Sequence, residues 1–219
     1  DLSAFYIDIS KDRLYTFGTQ SKARRSTQTA IYIIADGLTR LLAPLLPVTA
    51  DELWKHLPGN REDSVHLADF PNETKTFINK ELLQRWKRLL SVREAVNAEL
   101  ELLRQKKIVG TSLEARVTLQ ASGKTAELLE QYRDDLPTLF IASEVNIETN
   151  LTLTEETKAA QDISWSEPEG TLAIVVNRVD GVKCPRCWRY VQSVSTEADI
   201  AGLCKRCTEA LSETTVSPN

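Results

Sequence analysis

Two apolar seams with alternating three- and four-residue spacing, a switch to strict alternation after Gly110, and two C-x2-C pairs near the end define the expected architecture. They predict a multidomain, mainly α protein: an antiparallel helical bundle, then a small α+β module and a C-terminal zinc-ribbon-like domain. The expected units are 1–110 for the helices, 111–168 for the α+β junction and its linker, and 169–219 for the cysteine-bearing domain with a polar tail. A chain of 219 residues can hold two or three such units. At 42 % hydrophobic and 26 % charged, its composition is that of an ordinary globular protein. No apolar run approaches the ~20 residues of a membrane span. The net charge of −4 gives no overall attraction for nucleic acid, so any such attraction must come from local patches.

Leu2, Tyr6, Ile9, Arg13 and Phe17 recur every three to four residues, so a short helix is expected before a loop at Gly18. Ser21-Lys22-Ala23-Arg24-Arg25 is a basic entry to a long periodic segment. There Ile31, Ile34, Leu38, Leu41 and Leu45 share one face, expected to be buried, and Pro44 and Pro47 close the helix. Thr49-Ala50-Asp51-Glu52 reads as a capping box, in which the threonine oxygen takes a free first-turn N–H and the glutamate reaches back. Leu53, Trp54 and Leu57 share a face of the next helix, and Pro58-Gly59 stops it. Ser64 to Leu67 is too short to assign. The longest helix is expected from Asn79 to about Lys107. Its stripe is Leu82, Trp86, Leu89, Arg93, Val96, Leu100 and Leu103, broken only by Arg93. The stripe is expected to pack antiparallel against the helix at 23–43. Eight lysines and arginines stand against four acids between 80 and 107. Helical charge runs usually face solvent, so the excess alone marks no RNA surface.

After Gly110, Leu113, Ala115, Val117 and Leu119 alternate with polar residues as in a half-buried strand. A helix is expected over Lys124–Arg133. Val145, Ile147, Leu151 and Leu153 mark a second strand region, residues 154–168 with Trp165 and Pro168 a polar linker, and Thr171–Val179 a third strand running into Cys184.

The only cysteines are Cys184, Cys187, Cys204 and Cys207, and sixteen residues separate the two pairs. That is the spacing of a four-thiolate zinc site: each tight turn offers two ligands, and four close a structural tetrahedron. Disulfides would need an oxidising compartment, and a redox C-x-x-C has no need of a twin. Lys183, Arg186, Arg189, Lys205 and Arg206 interleave with the cysteines, and Trp188 and Tyr190 follow the first pair. Cations beside flat rings suit phosphate contact and base stacking, although both rings could instead roof the metal. Lys22, Arg24 and Arg25 are a second candidate phosphate patch, because they open a helix where free N–H groups and the dipole favour an anion. The candidate nucleic-acid contacts are therefore Lys22, Arg24, Arg25, Arg186, Trp188 and Arg189.

No catalytic constellation is evident. The sequence has no Gly-rich phosphate loop and no G-x-S-x-G elbow, and its two histidines, His56 and His66, suit surface or capping roles. The chain contains no methionine and its first residues already read as structured, so it is expected to be the C-terminal piece of a longer protein.

Four stretches resemble the C-terminal third of bacterial isoleucyl-tRNA synthetases: Lys11-Asp12-Arg13-Leu14-Tyr15; Leu41-Leu42-Ala43-Pro44-Leu45-Leu46-Pro47 running on to Glu52; Lys107 to Ala115 after the long helix; and Gly181 to Trp188. The first two are shared by related class I synthetases for branched aliphatic amino acids, and the zinc stretch narrows the match to isoleucine. The resemblance implies an N-terminally truncated helical anticodon-binding domain at 1–110 and a structural zinc domain at the end. It further implies a monomeric cytoplasmic enzyme, with tRNA(Ile) as partner and ATP used by catalytic and editing domains upstream. Signatures of the HIGH and KMSKS type do not occur here, so the segment by itself is not expected to activate isoleucine. Two other classes carry similar fingers. A formamidopyrimidine-type DNA glycosylase needs an N-terminal catalytic proline, where this chain has Asp1. A protein-interaction ribbon would show no salt-dependent tRNA binding, whereas a phosphate-contacting module loses affinity steeply as salt rises.

Overall fold

The computed structural model describes residues 2–72, 77–148 and 170–215. A π-helical turn, Leu2–Ile7, leads into α1, Asp8–Thr16. Then come α2 (Lys22–Leu42), α3 (Pro47–His56), a 3-10 turn at Val65–Leu67 and α4 (Lys80–Gln105). The second half contributes β1 (Ala115–Ala121), α5 (Gly123–Gln131), α6 (Leu136–Leu139), β2 (Glu144–Glu148) and β3 (Leu172–Arg178). A small hairpin, β4 (Val182–Lys183) with β5 (Tyr190–Val191), and α7 (Lys205–Thr215) complete it. The fold is thus mainly helical with a small sheet part. The predicted strand positions Leu151 and Leu153, the linker with Trp165 and Pro168, and the last polar residues lie outside the described residues.

α4 begins where expected. The Asn79 side chain accepts from Leu82 N–H at 2.9 Å and satisfies one of the four free donors of the first turn. Its stripe does not pack as the bundle expectation had it. Leu89, Val92, Val96 and Leu100 are buried in one cluster with Val117 and Leu119 of β1, Leu172, Ile174 and Val176 of β3, and Leu136 and Phe140. No residue of α2 belongs to that cluster among the described residues. The apolar face of a small sheet is the larger surface to cover, and one long amphipathic helix covers it. β1 sits centrally in the order β2-β1-β3, parallel to β2 and antiparallel to β3. The strand that leads into the cysteines is therefore also part of the junction sheet. Arg93, the one break in the stripe, has a defined place: its Nε–H donates to the Leu139 carbonyl at 2.9 Å and its guanidinium lies 5.1 Å from the Phe5 ring. Trp86 packs edge-on between Phe5 and Tyr132.

With α4 committed to the sheet, the predicted buried face of α2 is only partly covered: Ile31 and Ile34 are half-buried. Leu38, Leu41 and Leu45 are 43 %, 51 % and 75 % exposed. What α2 and α3 bury is a smaller corner of Ala43, Ala50, Trp54 and Val65. Trp54 Nε1–H donates to the Glu62 carbonyl at 2.8 Å, and Arg61 lies 4.3 Å from its ring centroid. The capping box is not used either. Pro47 is the first residue of α3, and having no N–H it needs no cap there; it starts the helix two residues before Thr49. Asp51 instead accepts from Ser64 Oγ–H at 2.5 Å and Val65 N–H at 3.2 Å, tying α3 to the 3-10 turn.

Candidate metal centre and nucleic-acid interface

The last described unit is built by two tight turns. Gly181 has φ +133°, and a Cβ there would come within 2.4 Å of the Val191 carbonyl oxygen, so only glycine lets β4 approach β5. The β4–β5 pairing aligns Val182 with Val191 and Lys183 with Tyr190. Across it, Cys184 N–H donates to the Arg189 carbonyl at 2.9 Å and Trp188 N–H to the Cys184 carbonyl at 2.8 Å. These bonds curl Cys184–Cys187 into a knuckle. The second pair opens α7, where Cys207 N–H and Thr208 N–H both donate to the Cys204 carbonyl. All four cysteines are buried.

The four Sγ atoms lie within 4.8 Å of one another, and Cys187 and Cys204 are 3.7 Å apart. Four thiolates at ~2.3 Å around a tetrahedral zinc would sit about 3.8 Å apart, while a disulfide needs about 2.05 Å. The donor set therefore fits a closed tetrathiolate site with no position for a substrate. Burial pushes the Cys184 thiol up, but backbone N–H groups of Cys187, Cys204 and Arg186 bring it down to about 6. Burial raises Cys204 and Cys207. Metal binding at neutral pH would release their protons.

The arginines around the knuckle turn inward. Arg206 donates to Asp12 through Nη1 at 2.5 Å and Nη2 at 2.8 Å. Arg189 Nη2–H donates to the same carboxylate at 3.1 Å and to Thr138 Oγ1 at 3.4 Å. Arg186 Nη1–H donates to the Thr16 carbonyl, at the C-terminal end of α1 where helix carbonyls lack partners. Burial works against ionising Asp12, but Arg206 and Arg189 hold its carboxyl below the usual range. Tyr190 is half-buried, and its backbone N–H donates to Ser143 Oγ at 2.8 Å, which ties β5 to the junction.

Trp188 differs from all of these. It takes a left-handed φ of +64° and is 61 % exposed. Its indole N–H donates to the Pro185 carbonyl at 3.1 Å, and Lys183 Nζ lies 5.4 Å from its ring. The partly buried side chains packed against the cysteines are Val191 and Leu203. Between the knuckle and α1 lies a cavity of about 340 Å³ lined by Lys11, Asp12, Tyr15, Arg186 and Trp188 among others. At the start of α2, Lys22 and Arg25 are exposed, while Arg24 Nη1–H donates to the Phe17 carbonyl at 3.0 Å. His56 and His66 are both exposed, against the carbonyls of Glu52 and Pro47.

A family model described as the anticodon-binding domain of tRNA ligase matches residues 1–119. The chain belongs to this family. The match takes in α1 to α4 of the anticodon-binding domain and most of β1. A second family model, the zinc finger found in FPG and IleRS, matches residues 181–210 and so encloses all four cysteines. The chain is 44 % identical over 214 residues to the isoleucine–tRNA ligase of Syntrophotalea carbinolica, covering 97 % of the chain and 22 % of that protein. It is 39 % identical over 211 residues to that of Natranaerobius thermophilus, covering 96 % and 22 %. With that of Staphylococcus epidermidis the identity is 38 % over 213 residues, covering 96 % and 22 %. The chain thus spans about a fifth of the length of these relatives. No helix among the described residues is long and apolar enough to cross a membrane.

Sequence reasoning missed Asp12, Thr16 and Ser143 as groups that hold the knuckle. The K-D-R-L-Y stretch singles out Asp12, but nothing local shows that its partners lie on the far side of the chain.

Proposed function

We propose that the chain is the tRNA-binding C-terminal portion of an isoleucine–tRNA ligase. It would recognise the anticodon arm of tRNA(Ile) in the cytoplasm, as part of a monomeric enzyme whose upstream domains charge the tRNA with isoleucine using ATP. The observation that carries this reading is the presence, in one chain, of an anticodon-binding match and a finger of the IleRS type. In this reading 1–110 is the anticodon-binding unit, 111–168 the junction and linker, and 169–219 the zinc unit, with β3 serving both of the last two. The open face of α2 would be covered by the upstream part of the ligase.

One structural zinc held by Cys184, Cys187, Cys204 and Cys207 would cross-link the two turns and supply no reaction chemistry. The protein's own groups do the binding. Lys22 and Arg25, exposed at a helix start, would take phosphates, with Arg24 set back on Phe17. Trp188 would stack on an unpaired base, since single-stranded loops are where RNA is read by stacking. Arg186 and Arg189, named with it as RNA contacts, have their guanidinium donors on α1, and we assign them to holding the knuckle rather than to phosphate.

Binding of tRNA(Ile) to the ligase at several salt concentrations tests this. Trp188→Ala should cost about 1–3 kcal/mol and leave the salt slope nearly unchanged. Lys22→Ala and Arg25→Ala should weaken binding and each lower the slope by about 1. Zinc content must stay at one per chain in all three. Wild-type affinity in a metal-loaded Trp188→Ala protein rules out stacking. Binding that ignores salt would point instead to a protein-interaction ribbon.

A further inference from the structure

We propose that Asp12 is the positioning residue that docks the cysteine knuckle on α1 and thereby holds Trp188 toward the RNA. The proposal rests on the reading above for what Trp188 contacts, and on geometry alone for the docking.

One carboxylate gathers both halves of the knuckle. Arg189 comes from the first turn, directly after Trp188, and Arg206 from between the second pair of cysteines. The Asp12 side chain is only 19 % exposed, and Arg189 only 15 %, so water screens this contact far less than a surface pair. Thr16 Oγ1–H donates to Asp12 at 2.8 Å and fixes the carboxylate from its own helix. Arg186 reaches the end of the same helix, so anchored arginines lie on both sides of Trp188. Between these anchored side chains the Trp188 backbone is left-handed and its ring is mostly exposed.

The same corner holds the other proposed RNA contacts. The Phe17 ring faces Arg206 at 5.2 Å, and the Phe17 carbonyl accepts from Arg24 at the start of α2. α7 continues across the α1–α2 loop, with Glu213 packed against Gly18 so closely that a Cβ there would lie 3.3 Å from Glu213 Cβ. The start of α2, which carries Lys22 and Arg25, thus meets the same corner as Asp12 through Arg24 and Phe17. Without that charge, Arg189 and Arg206 lose the carboxylate that ties both of them to α1, and the knuckle has reason to leave that helix.

The test uses the zinc-loaded chain for docking and the ligase that carries it for tRNA. In Asp12→Asn, amide hydrogen exchange over 184–190 and at the end of α1 should speed up by about tenfold or more while zinc stays at one per chain. Asp12→Glu, which keeps the charge, should recover most of the protection and carries the test if Asp12→Asn loses its fold. tRNA affinity should fall by about tenfold in Asp12→Asn but by less than about twofold further when Trp188→Ala is already present. Unchanged exchange in Asp12→Asn overturns the proposal. So does a loss of affinity that is the same with and without Trp188, because Asp12 would then act elsewhere. Faster exchange together with wild-type binding by Trp188→Ala overturns the stacking reading and with it the RNA half of the proposal, and leaves Asp12 as a docking residue only.

Discussion

Cys204→Ser should unfold the knuckle and leave the rest of the molecule standing. The knuckle's own core is four cysteines with Val191 and Leu203 packed against them, far too little apolar surface to order some thirty residues. Structural zinc contributes about 10–16 kcal/mol in isolated finger peptides, so losing one ligand removes most of what holds the turns. The damage should stop at about residue 180. Leu172, Ile174 and Val176 of β3 are buried in the main cluster and pair with β1 whatever happens downstream. Hydrogen exchange should rise across 184–210 and stay low in β1, β3 and α4, with zinc content near zero. Chelator added to the wild type should reproduce the pattern. Retained protection over 184–207 in a zinc-free protein would show that the metal does not hold the fold.

Leu100→Ala should cost about 2–5 kcal/mol of unfolding free energy in denaturant titration. Leu100 is 1 % exposed and lies in the cluster between α4 and the sheet. Leu41→Ala on α2 should cost no more than about 0.5 kcal/mol in the same chain, because Leu41 is half in water already. Equal costs would mean that α2 and α4 pack together as a bundle and that the sheet is not the partner of α4.

The contrast between these leucines marks where sequence reading stops. Periodicity shows that a helix has an apolar face, and the stripe from Leu89 to Leu100 was legible on that ground. It does not show what covers the face. β3 lies some seventy residues beyond α4, and the sheet order places it beside β1 through pairings no local pattern encodes. The α2 stripe has the same periodicity, yet from Leu38 onward it stays open. The capping box failed because a stronger local signal, Pro47 at the first helical position, lay two residues upstream. The cysteine cluster was legible almost completely, since each pair lies within a four-residue turn. Its attachment was not: Asp12 and Arg206 are 194 residues apart, and an arginine among cysteines reads equally well as a phosphate ligand or a latch.

Footprinting of tRNA(Ile) bound to the ligase, wild type against Trp188→Ala, addresses the central claim that this chain reads the anticodon arm with the knuckle ring placed on an unpaired base. The account predicts protection of the anticodon arm by the wild type. In the variant, one unpaired nucleotide should become reactive while the surrounding backbone protection persists. A footprint that omits the anticodon arm, or one identical in the two proteins at full zinc occupancy, would contradict it.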